Sequence, residues 1–490
     1  MNRLQVPTIR LRAVNDRPIR ADGAYVLYWM IAARRSGWNF ALQQAVARAV
    51  ALDRPLLILE TLRCDYPYAS DRLHRFIIDG MVDNRRAFAD RPVHYYPFVA
   101  SLADDDQQLL LALAEQACLV ISDDFPAFIV PQMLADTGKS LSVRLEAVDG
   151  NGLLPLRLAD HAYPSAYAFR RFLQKSLPAH LLTAPLADPL AATQLPPLES
   201  LPAAIVRRWP AADLDALRRD GGLADLPIDH SVAPAPAGGG STAADERLDA
   251  FLESRLDRYA ELRNHPDEEV TSGLSPYLHF GQIASHAIFA TLSEREGWSP
   301  DRLGPECRGK RSGWWGLSLN AEAFLDQLVT WRELGFNMCA FAPDYRDYAS
   351  LPEWARKTLE ARSLDPRPVC YTLAELETAR TDDPLWNAAQ RQLLTTGEMH
   401  NYLRMLWGKK ILEWSPRPQE ALRVMLELND RYALDGRDPN SCSGIFWCLG
   451  RYDRPWGPTR PIFGSIRYMS SENTRRKLRL NRYLQRWGDA

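Results

Sequence analysis

Short apolar runs alternate with amphipathic stretches through about the first 180 residues of the chain. Each run is bounded by polar or turn residues, which predicts a buried strand, and the stretches between them have the spacing of helices with one apolar face. We predict strands over 25–29, 55–59, 92–96 and 118–122, and helices over 39–51, 70–87 and 104–117. This alternation indicates an α/β domain, a doubly wound parallel sheet covered on both faces.

The chain from residue 246 onward has helical periodicity almost throughout. Predicted helices cover 246–262, 321–334, 351–361, 373–379 and 399–414. Before them, Pro, Ala and Leu dominate 181–204, and 233–241 is an Ala-Pro and Gly-rich stretch typical of a flexible linker. We therefore expect an α/β domain over 1–180, an inter-domain linker over 181–245 and an all-α domain over 246–490.

Composition narrows the class of protein. The chain has 490 residues, 46% hydrophobic and 24% charged, which is ordinary for a globular protein. Its seven scattered cysteines favour a reducing compartment over a disulfide framework. No signal-peptide pattern and no run of ~18 apolar residues occurs, so we expect a cytoplasmic protein without a membrane span. GxGxxG, P-loop and HExxH motifs are absent, which argues against standard nucleotide and zinc-protease sites.

Charge is unevenly distributed although the net charge is only −2. From residue 451 to the end, ten Lys or Arg stand against three acids, a local +7. A basic face of this kind can bind phosphate groups even when the whole chain is neutral. A solvated C-terminal helix explains the same charges, and the sequence leaves both interpretations open.

Tryptophan is concentrated in the second half, with eleven of the fourteen copies at or after residue 298. Trp386, Trp407 and Trp414 fall within two predicted helices. Trp407 and Trp414 are seven residues apart and so share one helix face, ~10 Å from each other. Indoles at such spacing can relay an electron, and they can also simply fill a core.

Two polar segments suggest a binding site. Residues 271–281 form a loop of Ser, Thr and Gly that leads into a helix with proline near its first turn, a good cradle for a phosphate group or an ordinary N-cap. Arg404 can pair with an acid of the polar turn over 435–440. A buried pair of that kind orients a ligand or forms a structural salt bridge.

Seven motifs in this order resemble the class II cyclobutane pyrimidine dimer photolyases. They are SGLSPYLHFG at 272–281, LWNAAQ at 385–390, RMLW at 404–407, KKILEW at 409–414, LNDRY at 428–432, LDGRDPN at 434–440 and RPIFGSIRYM at 460–469. The resemblance is dense from about residue 246 to 483. In the first half it is looser, where VLYWM at 26–30 resembles the opening strand of the family.

The resemblance implies an N-terminal antenna domain and a helical domain that binds a U-shaped FAD. It implies a deoxyribodipyrimidine photo-lyase that acts as a monomer on UV-damaged DNA and is nucleoid-associated when bound. The excited, fully reduced flavin would donate an electron to a dimer flipped out of the duplex, and the electron would return after the ring splits. Some relatives carry a deazaflavin-type antenna chromophore, whose ligands this sequence does not identify.

The resemblance assigns roles to individual residues of the flavin site. Arg404 and Asp435 match a salt bridge beside the isoalloxazine, and Asn429 matches the asparagine that faces flavin N5. Plant cryptochromes carry aspartate there, so Asn429 favours repair. The family's flavin-phosphate contacts correspond to Tyr259, Thr271, Ser272, Gly273, Leu274 and Ser275.

Further matches concern the electron relay, the lesion and the DNA. Trp407, Trp386 and Trp414 match the class II relay in that order from flavin to surface. The walls of the dimer pocket correspond to Trp331, Met405 and Trp447, and the loop entering the DNA corresponds to Asp453, Arg454 and Trp456, one residue closer to Trp447 than is usual. Basic residues expected at phosphates are Arg460, Arg467, Arg475, Arg476 and Lys477.

One residue departs from the family pattern. The family has glutamate beside the dimer where this chain has Gln327, which keeps the size and a donor but cannot exchange a proton. The neighbouring Asp326 is turned by ~100° in a regular helix and so is not expected to replace it. With Gln327 in place of glutamate, we expect slower repair, a different preferred lesion, or a protein whose function has changed from repair to light sensing.

Two other functions are therefore weighed against the lyase. A cryptochrome-like blue-light photoreceptor would keep the flavin site and the tryptophans but lose the lesion pocket. Gln327 favours it mildly, whereas Trp331, Met405 and Trp447 favour the enzyme. A helical DNA-binding protein without a cofactor is the third option, and colourless purified protein would indicate it.

Overall fold

A six-stranded sheet forms the centre of the first part of the chain in a computed structural model that describes residues 4–488. The strand order is β1-β6-β5-β2-β3-β4, with β1 antiparallel to its neighbour and the other pairs parallel. The strands are β1 (Leu11–Ala13), β2 (Tyr25–Met30), β3 (Leu56–Leu62), β4 (His94–Val99), β5 (Ala117–Asp123) and β6 (Leu145–Val148). The predicted doubly wound α/β architecture is confirmed.

Helices connect these strands and then continue alone. In chain order they are α1 (Phe40–Leu52), α2 (Asp71–Phe88), α3 (Asp105–Ala114), α4 (Val130–Ser140), α5 (Ala166–Ser176), α6 (Ala203–Arg208), α7 (Leu214–Arg218), α8 (Ser241–Ser254), α9 (Tyr259–Leu262), α10 (Ser275–His279) and α11 (Ser285–Arg295). The later helices are α12 (Leu319–Leu325), α13 (Arg332–Phe341), α14 (Glu353–Glu360), α15 (Leu373–Glu377), α16 (Pro384–Thr396), α17 (Asn401–Trp414), α18 (Pro418–Tyr432), α19 (Pro439–Cys448), α20 (Ser471–Lys477) and α21 (Asn481–Trp487). The predicted helical second half is therefore confirmed.

A buried carboxylate organises the carboxyl end of the central strands. Asp123, at the end of β5, accepts hydrogen bonds through Oδ2 from the backbone N–H groups of Ile31, Ala32 and Ala33 at 2.7–2.9 Å. Its Oδ1 accepts the Tyr28 hydroxyl at 2.8 Å. Burial and the charge of Asp123 together raise the pKa of Tyr28 well above its usual value. These bonds satisfy the backbone where β2 ends, which fixes the turn that follows.

The chain divides into two compact units. The first contains the chain through Ala159, Ser176–Leu248 and Leu274–Gly297. The second contains Asp160–Lys175, Asp249–Gly273 and the chain from Trp298 onward. The domain boundaries expected at 1–180, 181–245 and 246–490 divide the chain into consecutive stretches, whereas each compact unit combines separate segments. The expected boundaries therefore stay a prediction.

Residues of the expected linker pack within the first unit. The Tyr96 hydroxyl donates to the carbonyl of Trp209 at 2.5 Å, and Asp229 N donates to Ala69 O at 2.8 Å. Gly239 passes so close to α2 that an added Cβ would lie 1.9 Å from the carbonyl oxygen of Phe76. The Gly-rich run is thus used for close approach of two backbones.

The state of the cysteines and the character of the helices are two further features of the described residues. All seven cysteines are free thiols. Across residues 4–488, no helix has the length and apolar character that crossing a membrane requires.

Candidate functional site

A cavity of about 780 Å³ opens within the second unit and gathers several of the residues named above. Five of the predicted site residues line it, namely Gln327, Trp331, Arg404, Met405 and Trp447. The wall also contains Asn440, the last residue of the quoted motif over 434–440, and polar and charged groups that the sequence did not single out, among them Arg258, Arg263, Arg311, Asn401, Ser441 and Ser443. Aromatic walls with convergent donors are typical of a site for a planar, partly anionic ligand.

A π-helical turn shapes one wall of the cavity. Residues Asp326–Trp331 form this turn between α12 and α13. Such turns occur frequently at functional sites because they alter which side chains share a face. Here Asp326, Gln327 and Trp331 all line the cavity. The expectation that Asp326 does not replace the missing glutamate assumed a regular α-helix, and it stays a prediction.

Asp326 is a buried acid with a fixed partner. The Arg170 guanidinium lies 2.8 Å from Asp326 Oδ1 through Nη2 and 2.9 Å through Nε. Both side chains are almost wholly buried. A pair that is this well enclosed holds the carboxylate in one place, and it leaves an acidic group at the wall next to Gln327.

Arg404 connects the cavity wall to the buried polar core. Its Nη2 lies 3.0 Å from Asp435 Oδ1, which is the expected salt bridge, and its Nη1 donates to Ser441 Oγ at 3.3 Å. Ser441 Oγ in turn donates to Asn429 Oδ1 at 3.2 Å, and Asn429 Nδ2 donates to Gly436 O at 2.8 Å. Ser441 therefore lies at the wall and Asn429 directly behind it.

The three tryptophans are in contact, with Trp386 in the middle. The rings of Trp386 and Trp407 are parallel at a centroid distance of 6.4 Å, and those of Trp386 and Trp414 meet edge to face at 5.4 Å. Trp407 Nε1 donates to Gln390 Oε1 at 2.8 Å. The sequence spacing related Trp407 only to Trp414, whereas the packing of α16 on α17 inserts Trp386 between them.

Cations and indoles alternate from the buried Lys409, past Trp447 at the cavity wall, to the exposed Arg454, and we call this series the rim stack. The Lys409 ammonium lies 4.9 Å from the Trp447 ring, and the Arg467 guanidinium lies 5.4 Å from the same ring and 4.1 Å from Trp456. Arg454 covers Trp456 at 4.8 Å. Each contact is a cation–π interaction, and together these interactions fix the orientation of the Trp447 and Trp456 rings.

Asp453 holds the outer part of the rim stack. Its carboxylate lies 3.0 Å from Arg467 Nε and accepts Trp456 Nε1 at 3.1 Å and the backbone N–H of Arg454 at 2.9 Å. The carboxylate is only 8% exposed. Asp453 therefore orients its neighbours rather than facing solvent.

The remaining predicted residues lie outside the cavity wall. Tyr259 packs edge to face on Phe251 and Phe324, and burial raises the pKa of its hydroxyl. Arg460 is exposed and covers Tyr468 at 4.7 Å. The expected phosphate loop runs from Thr271, Ser272 and Gly273 in the second unit to Leu274 and Ser275 in the first. Their roles stay predictions.

Sequence reasoning missed most polar residues of the wall. Ser441 lies in the first turn of α19, immediately after the quoted motif that ends at Asn440, so its position next to that motif was the available signal. Arg258, Arg263 and Arg311 had no such signal, because they are single basic residues whose proximity to the cavity depends on the packing of α9 and the loop before α12.

The donor set of this wall fits a flavin nucleotide. Guanidinium groups suit phosphates, and amide and hydroxyl groups suit the polar edge of an isoalloxazine ring. Trp331, Met405 and Trp447 supply the apolar surface that a planar ligand needs. Among residues 4–488 no cluster of His, Cys, Asp and Glu suits a metal ion.

Comparison with known proteins gives full-length relatives. The deoxyribodipyrimidine photo-lyase of Methanothermobacter thermautotrophicus is 34% identical over 478 residues, covering 97% of each chain. The proteins of the same name from Oryza sativa and Arabidopsis thaliana are 33% and 30% identical, covering 94% and 96% of this chain and 87% and 90% of their own. No protein-family model matches the chain.

A solved structure has the same fold. A bacterial class III photolyase from Agrobacterium tumefaciens matches with a TM-score of 0.63 at 17% identity, over 95% of this chain and 86% of its own. At that identity the match concerns the arrangement of the backbone.

Proposed function

The chain belongs to the deoxyribodipyrimidine photo-lyase family, and from this we propose that it is a DNA-repair lyase that splits cyclobutane pyrimidine dimers under light. The observation that carries the proposal is the relationship at 34% identity along 97% of the chain. Assignment to class II is a further part of the proposal, supported by the seven ordered motifs and by the contact order of Trp407, Trp386 and Trp414.

The proposed cofactor is FAD, since the family uses a flavin and the donor set of the cavity suits one. When bound, reduced FAD supplies a light-excitable donor that passes one electron to the dimer and recovers it after the ring opens. Arg404, Asp435 and Asn429 would hold the ring side, and the Arg and Ser side chains of the wall would hold polar and phosphate groups. A deazaflavin-type antenna chromophore is a separate question that reconstitution and excitation spectra decide.

The chain's own residues would bind and orient the lesion. Trp331, Met405 and Trp447 offer flat or flexible apolar surface to a pyrimidine dimer turned out of the duplex, and such surfaces stabilise extruded bases by stacking. Gln327 can donate an amide N–H to a base carbonyl at the wall. It cannot deliver a proton, which is the chemical difference from the usual glutamate of the family.

The proposed partner is UV-damaged DNA, bound by a monomer. Arg454 and Trp456 at the outer end of the rim stack would enter the space that the lesion vacates, with Asp453 and Arg467 supporting them. Arg460 is an exposed candidate for a phosphate contact. A cytoplasmic location with association to the nucleoid stays a prediction.

Illumination of the reduced protein with an oligonucleotide that contains one thymine dimer tests the function. Recovery of thymine absorbance under blue light, with none in the dark, is the expected result. A protein that binds flavin and is reduced, yet leaves the dimer unchanged at saturating DNA, would overturn the proposal.

A cryptochrome-like photoreceptor without repair is the second candidate, and Gln327 is the observation that favours it. The same measurement separates the two functions, because a photoreceptor would photoreduce its flavin normally and release no repaired thymine.

A further inference from the structure

The inner two tryptophans have unusual hydrogen-bond partners. Trp407 Nε1 donates to the amide oxygen of Gln390 at 2.8 Å, and Trp386 Nε1 donates to the backbone carbonyl of Trp407 at 3.1 Å. Gln390 is fully buried, and its Nε2 donates to the carbonyl of Glu377 at 3.3 Å, which fixes the amide so that its oxygen faces the indole. Neither of these indole bonds ends on a carboxylate or an imidazole.

The acceptor matters because an indole that has lost one electron becomes an acid at its N–H. Carboxamide and peptide oxygens accept hydrogen bonds but are far weaker bases than a carboxylate or a neutral imidazole. A hydrogen bond to Gln390 therefore stabilises the oxidised ring of Trp407 without taking its proton. The positive charge then stays able to move to the next ring.

The surroundings of the outer ring are different. Trp414 lies 4.8 Å from the ammonium of Lys410, which is 3.7 Å from Asp383 and 2.5 Å from Glu413. Two carboxylates thus pair with the ammonium that covers Trp414, whereas the hydrogen bonds of Trp407 and Trp386 end on amide and peptide oxygens.

We propose that Gln390 is a positioning residue that fills the acceptor position at Trp407 Nε1 with a non-basic oxygen, so that no base takes the indole proton while the charge passes outward and the tryptophan series conducts in one direction. The proposal rests on the proposed function in one respect, because it takes a photoexcited oxidised flavin as the oxidant. It concerns the reduction of the flavin by light and is separate from the repair step.

The electron and proton balance is as follows. Trp407 loses one electron to the excited oxidised flavin, then recovers one from Trp386, which recovers one from Trp414. At Trp414 the Nε1–H bond breaks and the proton goes to water or a neighbouring carboxylate, leaving a neutral indole radical. An external thiol later returns one electron and one proton to Trp414.

Substitution of Gln390 by a base tests this directly. In a Trp386→Phe background the charge is confined to Trp407, and transient absorption distinguishes a protonated from a deprotonated indole radical. With Gln390 present we expect the protonated radical to decay without conversion. With Gln390→His we expect conversion to the neutral radical, because the buried neutral imidazole accepts the proton. Gln390→Glu, studied over a pH series, is a second variant with a different shape.

Control variants separate this effect from damage to the fold. Gln390→Met removes the acceptor but adds no base, so the radical should stay protonated. Gln392→His puts the same base on the same helix, at a glutamine whose Oε1 accepts the Tyr483 hydroxyl at 2.8 Å, and it should behave as the parent.

With all three tryptophans present, Gln390→His should lower the yield of light-driven flavin reduction about tenfold. This is the change expected when proton loss stabilises the oxidised form of Trp407 by about 1.4 kcal/mol, so that it no longer takes an electron from Trp386. Retention of the protonated radical in both Gln390→His and Gln390→Glu would overturn the proposal. Repair by chemically reduced protein is scored in parallel. If repair is present and the radical is unchanged, this inference alone fails, whereas absence of repair counts against the proposed function.

Discussion

At the scale of single residues, Lys409 shows how burial changes a charge. Its ammonium is fully buried, donates to the carbonyl of Cys448 at 2.7 Å, and has its pKa lowered to about 8 by desolvation. Cys448 is the last residue of α19, so the ammonium also compensates the negative end of the helix dipole. The ammonium of Lys409 is thus buried at a cost in desolvation, at a position where it contacts and orients the Trp447 ring.

Lys409→Met should reveal this cost in the pH dependence of stability. Between about pH 8 and 10.5 the unfolded chain binds this proton and the folded chain does not, so the lysine's contribution to stability rises with pH. The free energy of unfolding of the parent minus that of the variant should therefore increase by about 3 kcal/mol across this window. Urea unfolding at a series of pH values measures it. The exposed Lys357→Met variant should show no such rise, and a flat difference for Lys409→Met would contradict the shifted pKa.

Trp407→Phe should separate two uses of light. Reduction of oxidised flavin should slow about tenfold or more, because the first ring of the series is lost. Repair by protein that is already chemically reduced should persist, since that electron does not come from the tryptophans. Flavin bleaching under blue light and dimer repair are measured on the same preparation. Loss of both activities in folded, flavin-bound protein would argue against the relay assignment.

Gln327→Glu should raise the repair yield if the missing carboxyl group limits the reaction. The expected gain is about two- to tenfold, the scale of one hydrogen bond worth about 0.5–1.5 kcal/mol. Yield per absorbed photon on a thymine-dimer oligonucleotide is the measurement, with Gln392→Glu as the charge-matched control. An unchanged or lower yield would mean that Asp326 and the rest of the wall have adapted to glutamine.

At the scale of elements, the site depends on how closely α13 approaches α19. Gly335 permits this approach, because a Cβ at that position would lie 2.8 Å from the carbonyl oxygen of Pro439. Both segments contribute to the cavity wall: the π-helical turn before α13 holds Trp331, and α19 holds Trp447. A change in the separation of α13 and α19 would therefore alter the shape of the proposed lesion pocket.

Gly335→Ala should destabilise the protein by about 1–3 kcal/mol, since the neighbour is backbone and cannot move aside cheaply. Gly444→Ala on α19 is the matched change. Its Cβ would meet only Met405 at 3.6 Å, and the helix should gain about 1 kcal/mol from the better helix former. Denaturant unfolding of both variants makes the comparison, and equal stabilities would show that the helices can separate freely.

At the scale of the whole molecule, local charge matters more than net charge. The chain carries −2 overall, yet its last forty residues carry a local +7. DNA binding through such a surface should weaken steeply with salt, because each phosphate contact releases counterions. The same contacts should show little preference for base sequence.

Arg460→Ala should reduce the slope of log affinity against log salt by about one, the effect of losing one phosphate contact. Binding of a fluorescent dimer-containing duplex at several salt concentrations measures the slope. Lys139→Ala removes an exposed charge in the first unit and should leave the slope unchanged. An Arg460→Ala slope equal to that of the parent would exclude Arg460 from the DNA interface.

Periodicity and the order of the motifs were sufficient to predict the architecture, because both can be read along the chain without knowledge of its tertiary contacts. The predicted helices at 39–51 and 70–87 correspond closely to α1 and α2, and the helical second half was correct in kind. Strands β1 and β6 were not predicted, since they are only three and four residues long. Residues Gln327, Trp331, Arg404, Met405 and Trp447 were named from the resemblance and do share one cavity.

What the sequence alone determined was therefore the fold class, the family and the identity of the aromatic residues, all of which depend on local pattern. The resemblance gave the order Trp407, Trp386, Trp414, and only the tertiary structure decided how closely these rings pack, that Asp326 joins Gln327 at the wall, and that Gln390 accepts a hydrogen bond from the Trp407 indole N–H. Those relationships join residues on different helices or follow from a π-helical turn. They depend on packing distances and on a local change of helical pitch, neither of which the order of residues states.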